Sequence, residues 1–201
     1  MLENIDAAWQ LAEARSDHMR EVRGDSLAGD EYVATIATIE GDGVRACRHL
    51  AKLVDGAPPG SEGVMASWRS MLARELCRLD RFDEAESQLR EAETAGFDPV
   101  TRTLVSATEA VLLTRTATAS FGQAEGLART AVGIAETETD NVWLHGWSNE
   151  DLALVLERAG RIDEALDALE RALVIWERKR CVPIARRLRE QMDTLRRADR
   201  V

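Results

Sequence analysis

Four alanines recur along this chain at nearly constant intervals: Ala46, Ala85, Ala124 and Ala165 stand 39, 39 and 41 residues apart. Seven residues beyond each, Leu53, Ala92, Ala131 and Ala172 keep the same spacing. Two registers advancing together define an internal repeat, and a repeat of this length is a supersecondary unit that buries its apolar face only against its neighbours. The two best copies are "RFDEAESQLREAE" from Arg81 and "RIDEALDALERAL" from Arg161, identical at six of thirteen positions. A chain written this way folds as an array of like units.

The local pattern says what each unit is. In the last one, Leu152, Ala153, Leu156 and Ala159 lie at helical spacing and stop at Gly160. After a tight turn, Ile162, Ala165, Leu166, Leu169, Ala172, Leu173 and Trp176 share one face of a second helix. Asp98 and Pro99 open a helix, Asp140 or Asn141 caps another, and Gly96 ends one. The stretch 55–63 is a loop. Pro183 restarts the chain into a last amphipathic helix, and a leading helix turns Ile5, Ala8, Trp9 and Ala12 inward. Aromatic residues are only 4% of the chain against 45% hydrophobic overall, a balance that suits packed helices. The expected fold is therefore all-α, about ten helices in antiparallel pairs with no strand. The expected organisation is one domain, 1–201: a leading helix (1–26), repeats at 28–56, 63–96, 98–138 and 141–180, and a capping helix (183–198).

The pattern resembles the tetratricopeptide repeat, a helix-turn-helix unit with small residues where its helices touch. Leu152, Ala153, Leu156, Gly160, Ile162, Ala165, Leu169 and Ala172 carry the signature in the fourth unit. Leu72, Ala73, Leu76, Phe82, Ala85, Leu89 and Ala92 carry it in the second, where Asp80 replaces the turn glycine. The first unit keeps Val33, Ala34, Gly41, Ala46 and Leu50. The third keeps Phe121, Ala124, Ala128 and Ala131, while its first helix aligns poorly around "TRTATAS". The resemblance implies a right-handed superhelical solenoid. Its long, degenerate repeats are similar to the C-terminal arrays of bacterial signalling ATPases and transcriptional regulators.

Little in the sequence converges on catalysis. His18, His49 and His145 are scattered, so no metal-ligand spacing is present, and "EGDGVR" lacks the Lys-Ser/Thr of a phosphate loop. His145 and Ser148 could meet on one helix face, without an acidic orienter or oxyanion device. Neither an enzyme nor a cofactor is expected. Cys47, Cys77 and Cys181, odd in number and widely spaced, suit a reducing cytoplasm. The start of the chain has no basic-then-apolar signal, and no run approaches a membrane span.

The resemblance implies a protein or peptide partner held in a concave groove by non-core positions of the first helices. In the first unit these are Glu31, Tyr32 and Thr35; in the second, Ser67, Ser70, Met71, Arg74 and Arg78. In the fourth they are Trp147, Glu150, Asp151, Leu154, Glu157 and Arg158. The family's Lys/Asn clamp for a C-terminal carboxylate is not reproduced. Whether Trp143 and Trp147 line a groove or pack between units stays open at this level. A scaffold or regulatory role follows, with self-association open. The alternative is a regulator sensing a small peptide or metabolite. A third reading uses the reversed charge after Trp176. Residues 178–201 carry a net +6, leaving −16 on the preceding 177 against −10 for the whole chain. Arg186, Arg187, Arg189, Arg196 and Arg197 could meet phosphates or an acidic partner, although the acidic remainder opposes nucleic acid.

Overall fold

The computed structural model describes residues 7, 9–12, 14, 18, 27–93, 98–115 and 121–198. Within them are nine helices: α1 (Leu27–Glu40), α2 (Gly43–Gly56), α3 (Glu62–Arg78), α4 (Phe82–Glu93), α5 (Pro99–Arg115), α6 (Phe121–Glu138), α7 (Val142–Arg158), α8 (Ile162–Arg178) and α9 (Val182–Ala198). Residues 7, 9–12, 14 and 18 are also helical, and no strand occurs among the described residues. None of the described helices is long and apolar enough to cross a membrane. The expected cap at Gly96 lies outside the described residues, as do Ile5, Ala8 and 116–120.

Contacts divide the chain into two compact units, Met1–Gly96 and Phe97–Val201. In the first, α1 packs on α2, α2 on α3 and α3 on α4. In the second, α5 packs on α6, α6 on α7, α7 on α8 and α8 on α9, and the two first helices α5 and α7 also touch. Each unit thus stacks two helical hairpins, and in the second α9 packs on the last of them.

The helix starts are set by side chains that accept the orphan amides of a first turn. Asp42 accepts from the Arg45 amide at 3.0 Å and Asn141 from the Trp143 amide at 3.1 Å. Asp98 takes the Val100 and Thr101 amides at 2.9 and 3.0 Å and the Thr101 hydroxyl at 2.6 Å. Burial pushes the Asp98 carboxyl up, but the Thr101 and amide hydrogen bonds outweigh it and hold the pKa low.

Four helix ends share one device. Gly41, Asp80, Gly160 and Arg180 all adopt positive φ: 87°, 59°, 74° and 53°. After each, the next amide bonds back across the turn: Asp42 to the Ala37 carbonyl, Arg81 to Leu76, Arg161 to Leu156, Cys181 to Trp176, at 2.9–3.0 Å. This left-handed closure satisfies carbonyls a helix end would strand, and it aims the next helix back along the last.

Both alanine registers are core. Ala46, Ala85, Ala124 and Ala165 are fully buried, as are Leu53, Ala92, Ala131 and Ala172. Ala34, Ala73 and Ala153 of the first helices are buried as well. Small side chains let the helix axes approach to about 8 Å, the low end of the usual range. The third unit's first helix also buries an alanine, Ala110. At the start of the chain, Ala12 is buried with Val33 and Ile36, and Trp9 packs beside them.

Candidate functional site: the first-helix faces

In the first unit, α1 presents Tyr32 exposed and Thr35 half-buried, the Thr35 hydroxyl donating to the Glu31 carbonyl at 2.9 Å. Helix α3 behaves differently. Ser70 and Arg74 are buried, and the Ser70 hydroxyl folds back onto the Ala66 carbonyl at 2.8 Å. Beside them is a residue not singled out from the sequence, Glu75, also buried. Its Oε1 lies 3.4 Å from the guanidinium of Arg78 and 3.7 Å from that of Arg74. A carboxylate withdrawn from water requires such company. Met71 stays half-buried and Arg78 reaches the surface.

In the second unit, the burial of α7 settles the question left open at Trp147. Trp143, Trp147 and Trp176 form a triangle with ring centroids 5.2, 5.9 and 6.4 Å apart, in tilted and edge-on geometry. Trp176 is fully buried, Trp147 nearly so, and Trp143 half-buried. The Trp176 indole donates to Glu150 Oε1 at 2.8 Å, and Arg187 of α9 donates to Glu150 Oε2 at 3.0 Å. Glu150 is thus a buried carboxylate with a donor on each oxygen, tying α7, α8 and α9 together. Gly146 makes the approach possible: a Cβ there would sit 2.5 Å from Trp176 Cζ2. Asn149 extends the seam, donating to the His145 carbonyl at 2.9 Å and accepting from Arg171 Nε at 3.0 Å. Asp151 is also buried, whereas Leu154 and Arg158 remain half-buried. Arg158 donates to the Thr114 hydroxyl at 3.4 Å, and Gln191 to Glu157 at 3.2 Å.

Ser70, Arg74, Trp147, Glu150 and Asp151 therefore lie inside the units. Tyr32, Thr35, Met71, Arg78, Leu154 and Arg158 keep surface. The dividing line was not legible in residue type, because the buried set is as polar as the open one. What decides it is a partner distant in sequence, such as Trp176 for Glu150.

The arginines of α9 divide in the same way. Arg187 is engaged by Glu150, Arg189 by Glu177 at 2.5 Å, and Arg196 by Glu170 at 3.2 Å and Asp193 at 3.7 Å. Arg197 donates to the Thr194 hydroxyl at 3.3 Å, and Arg186 is exposed.

Groups that might do chemistry are otherwise occupied. The Ser148 hydroxyl meets the His145 carbonyl at 3.3 Å, not its ring, and the ring faces the Thr139 carbonyl at 3.2 Å. Cys47, Cys77 and Cys181 are buried. Burial, then the charge of Glu75, pushes the Cys47 thiol up to about 12, and burial raises Cys181. The Cys47 and Cys181 thiols stay protonated at neutral pH, so they are poor nucleophiles. What the first-helix faces offer is contact surface: an aromatic ring, a thioether, a leucine and two guanidinium groups.

Comparison with known proteins bears on the same helices. No curated protein matches the chain. Residues 150–179 match the model of the family described as Tetratricopeptide repeat. That stretch takes in the second half of α7, the left-handed turn at Gly160 and the whole of α8. The hairpin of α7 and α8 thus matches a tetratricopeptide repeat, a unit that generally serves as a protein-interaction scaffold.

Proposed function

We propose that this chain is a non-catalytic module that binds a protein or peptide through the open residues of its first helices. The observation that carries this reading is the tetratricopeptide repeat at 150–179, whose first helix keeps Leu154 and Arg158 half-open. Tyr32, Thr35, Met71 and Arg78 add like surface in the first unit. Aromatic, thioether and guanidinium groups are the types enriched where proteins meet. The buried set, Ser70, Arg74, Trp147, Glu150 and Asp151, supports that surface from behind by fixing the helices that present it. A scaffold or regulatory role in the bacterial cytoplasm, within a larger signalling protein, fits the long, degenerate repeats. Contact with nucleic acid through α9 draws less support, since Arg187, Arg189 and Arg196 already face carboxylates.

The test is selection of a random peptide library on the full chain, followed by fluorescence anisotropy with the enriched peptide. Leu154→Glu with Arg158→Glu, or Tyr32→Ala with Met71→Glu, should weaken binding at least tenfold with the melting temperature unchanged. Selection that enriches nothing, or affinity indifferent to both pairs, overturns the proposal.

A further inference from the structure

The first unit contains a cleft of about 430 Å³ whose walls include Leu27, Glu31, Pro58, Val64 and Trp68. A volume of this size falls within the range of small-ligand sites. Leu27 and Glu31 stand in the first turns of α1, Val64 and Trp68 in the first turns of α3, and Pro58 in the loop before α3. Val64 is 53% exposed and Trp68 half-buried, so apolar surface is left open that the fold does not consume.

At the edge of this apolar wall stands an acid. Glu31 is exposed, and among the described residues its carboxylate has no ion-pair partner. Its neighbour Asp30, by contrast, is taken by His49 at 2.5 Å and Lys52 at 3.5 Å. No lysine or arginine lines the cleft. Asp55 and Glu62, both exposed, flank it in the chain and add negative charge.

A second cleft makes an internal control. Between α8 and α9, about 420 Å³ is floored by Leu173, Val174 and Met192. Its three acids are already paired with cations of the cleft itself, Glu170 and Asp193 with Arg196 and Glu177 with Arg189. That cleft supplies its own cations; the one at Glu31 does not.

We propose that the cleft at Leu27, Glu31 and Trp68 is a subsite for a lysine or arginine side chain of a bound peptide. Such a side chain is an aliphatic stem with a cationic head. The stem would lie along Leu27, Val64 and the Trp68 ring, where a cation near the ring face gains further, and the head would meet Glu31. The chain's net charge of −10 draws cationic partners and repels acidic ones. This inference rests on the peptide-binding reading and names the residue type that the first unit selects.

The subsite can be probed without knowing the partner. Hexylammonium carries the stem and head of a lysine, hexanol the stem alone, and hexanoate the opposite charge. Each is titrated against the full chain while the Trp68 indole N–H is followed by NMR, its signal assigned with Trp68→Phe. Hexylammonium should shift that signal at one-fifth or less of the hexanol concentration, with hexanoate weakest. Glu31→Gln, a change at an exposed position, should bring hexylammonium to the level of hexanol and leave the other amide signals in place. Acetyl-Leu-Lys-Leu amide should bind more tightly than hexylammonium. Equal titration by hexylammonium and hexanol, or a preference that survives Glu31→Gln, overturns the subsite. A tripeptide weaker than the free amine overturns its assignment to a peptide. A subsite that passes while library selection enriches nothing removes the broader reading alone.

Discussion

The hairpin α3–α4 of the first unit and the hairpin α7–α8 of the second are near copies, offset by eighty residues, and their differences are instructive. Arg81 and Arg161 follow the left-handed turn in each, and both fork onto the glutamate three residues ahead. Arg81 meets Glu84 at 2.6–2.7 Å and Arg161 meets Glu164 at 2.5–2.6 Å. The repeated Arg and Glu thus clamp the start of the second helix, and the repeated Ala and Leu pack it. Where the copies diverge, they solve one problem with different chemistry. Arg69 of α3 bridges to Glu91 of α4 at 2.5 Å, and at the equivalent sites Asn149 of α7 accepts from Arg171 of α8. The cross-hairpin bond is kept while its polarity is reversed. A repeat of this kind conserves a contact, not a residue.

The sharpest divergence is also the largest expected effect. Ala66 and Gly146 occupy equivalent positions, both buried, and the glycine leaves room for Trp176. Trp176→Ala should cost about 3–5 kcal/mol by emptying a large core site, and it also strips one donor from the buried Glu150. Gly146→Ala should cost about 1–3 kcal/mol through overpacking. Chemical denaturation checks both. A neutral Gly146→Ala would break the contrast with Ala66, because it would mean that Trp176 moves aside freely.

Next come the turns. Gly160 in the second unit and Asp80 in the first hold the same left-handed conformation, as does Arg180 after α8. Gly160→Ala should destabilise by about 1–2 kcal/mol, the cost of a Cβ in this region. Arg180→Gly should stabilise by up to about 1 kcal/mol, and Asp80→Gly by less, because aspartate tolerates the conformation better than arginine. Thermal melts should rank Arg180→Gly highest, Asp80→Gly next and Gly160→Ala lowest. If Arg180→Gly gains nothing, the arginine side chain contributes more at its turn than its backbone costs.

The smallest effect lies in the clamps. In the second unit Glu125 of α6 joins Arg129 at 2.8 Å and also pairs with Arg161, while Arg129 reaches Glu164 at 3.3 Å. In the first unit Cys47 stands at the register of Glu125, so among the described residues Arg81 pairs with Glu84 alone. Hydrogen bonds from Arg129, Arg161 and Arg81 hold the carboxyls of Glu125, Glu164 and Glu84 below the ordinary range. Their folded-state pKa values are lowered, so this stabilisation is fully present above the unfolded value of 4.5 and is lost as pH falls through the folded values. Exposed pairs of this kind contribute little each. Denaturation midpoints measured from pH 6 to pH 3 should therefore fall slightly less steeply for Glu125→Gln than for the parent chain. Identical slopes would show that the linked clamp of the second unit adds nothing to the single one of the first.

Much of the fold was legible because its determinants are local or periodic. The spacing of Ala46, Ala85, Ala124 and Ala165 marked the hairpins. Asp98, Pro99 and Asn141 marked helix starts, and Gly160 marked a stop, since caps act within a few residues of themselves. The turn at Arg180 was not legible, because arginine carries no left-handed signature and only the pull of packing places it there. The candidate site was less legible for the same kind of reason. Glu150 and Arg74 read as groove residues by position, yet both are buried, Glu150 against Trp176 and Arg187 from other helices and Arg74 beside Glu75. Glu31 was placed on the first-helix face from the sequence, but Leu27, Val64 and Trp68 beside it were not, because the loop at Pro58 brings them together.

By itself, then, the sequence determined that the chain is a helical repeat, where its hairpins turn and which alanines they share, since helix periodicity and capping are short-range physics. The tertiary structure alone decided which polar side chains of the first helices are withdrawn and which remain open. Burial of a charge depends on whether a partner within reach can satisfy it, and for Glu150 those partners come from other helices. That partner is a matter of packing.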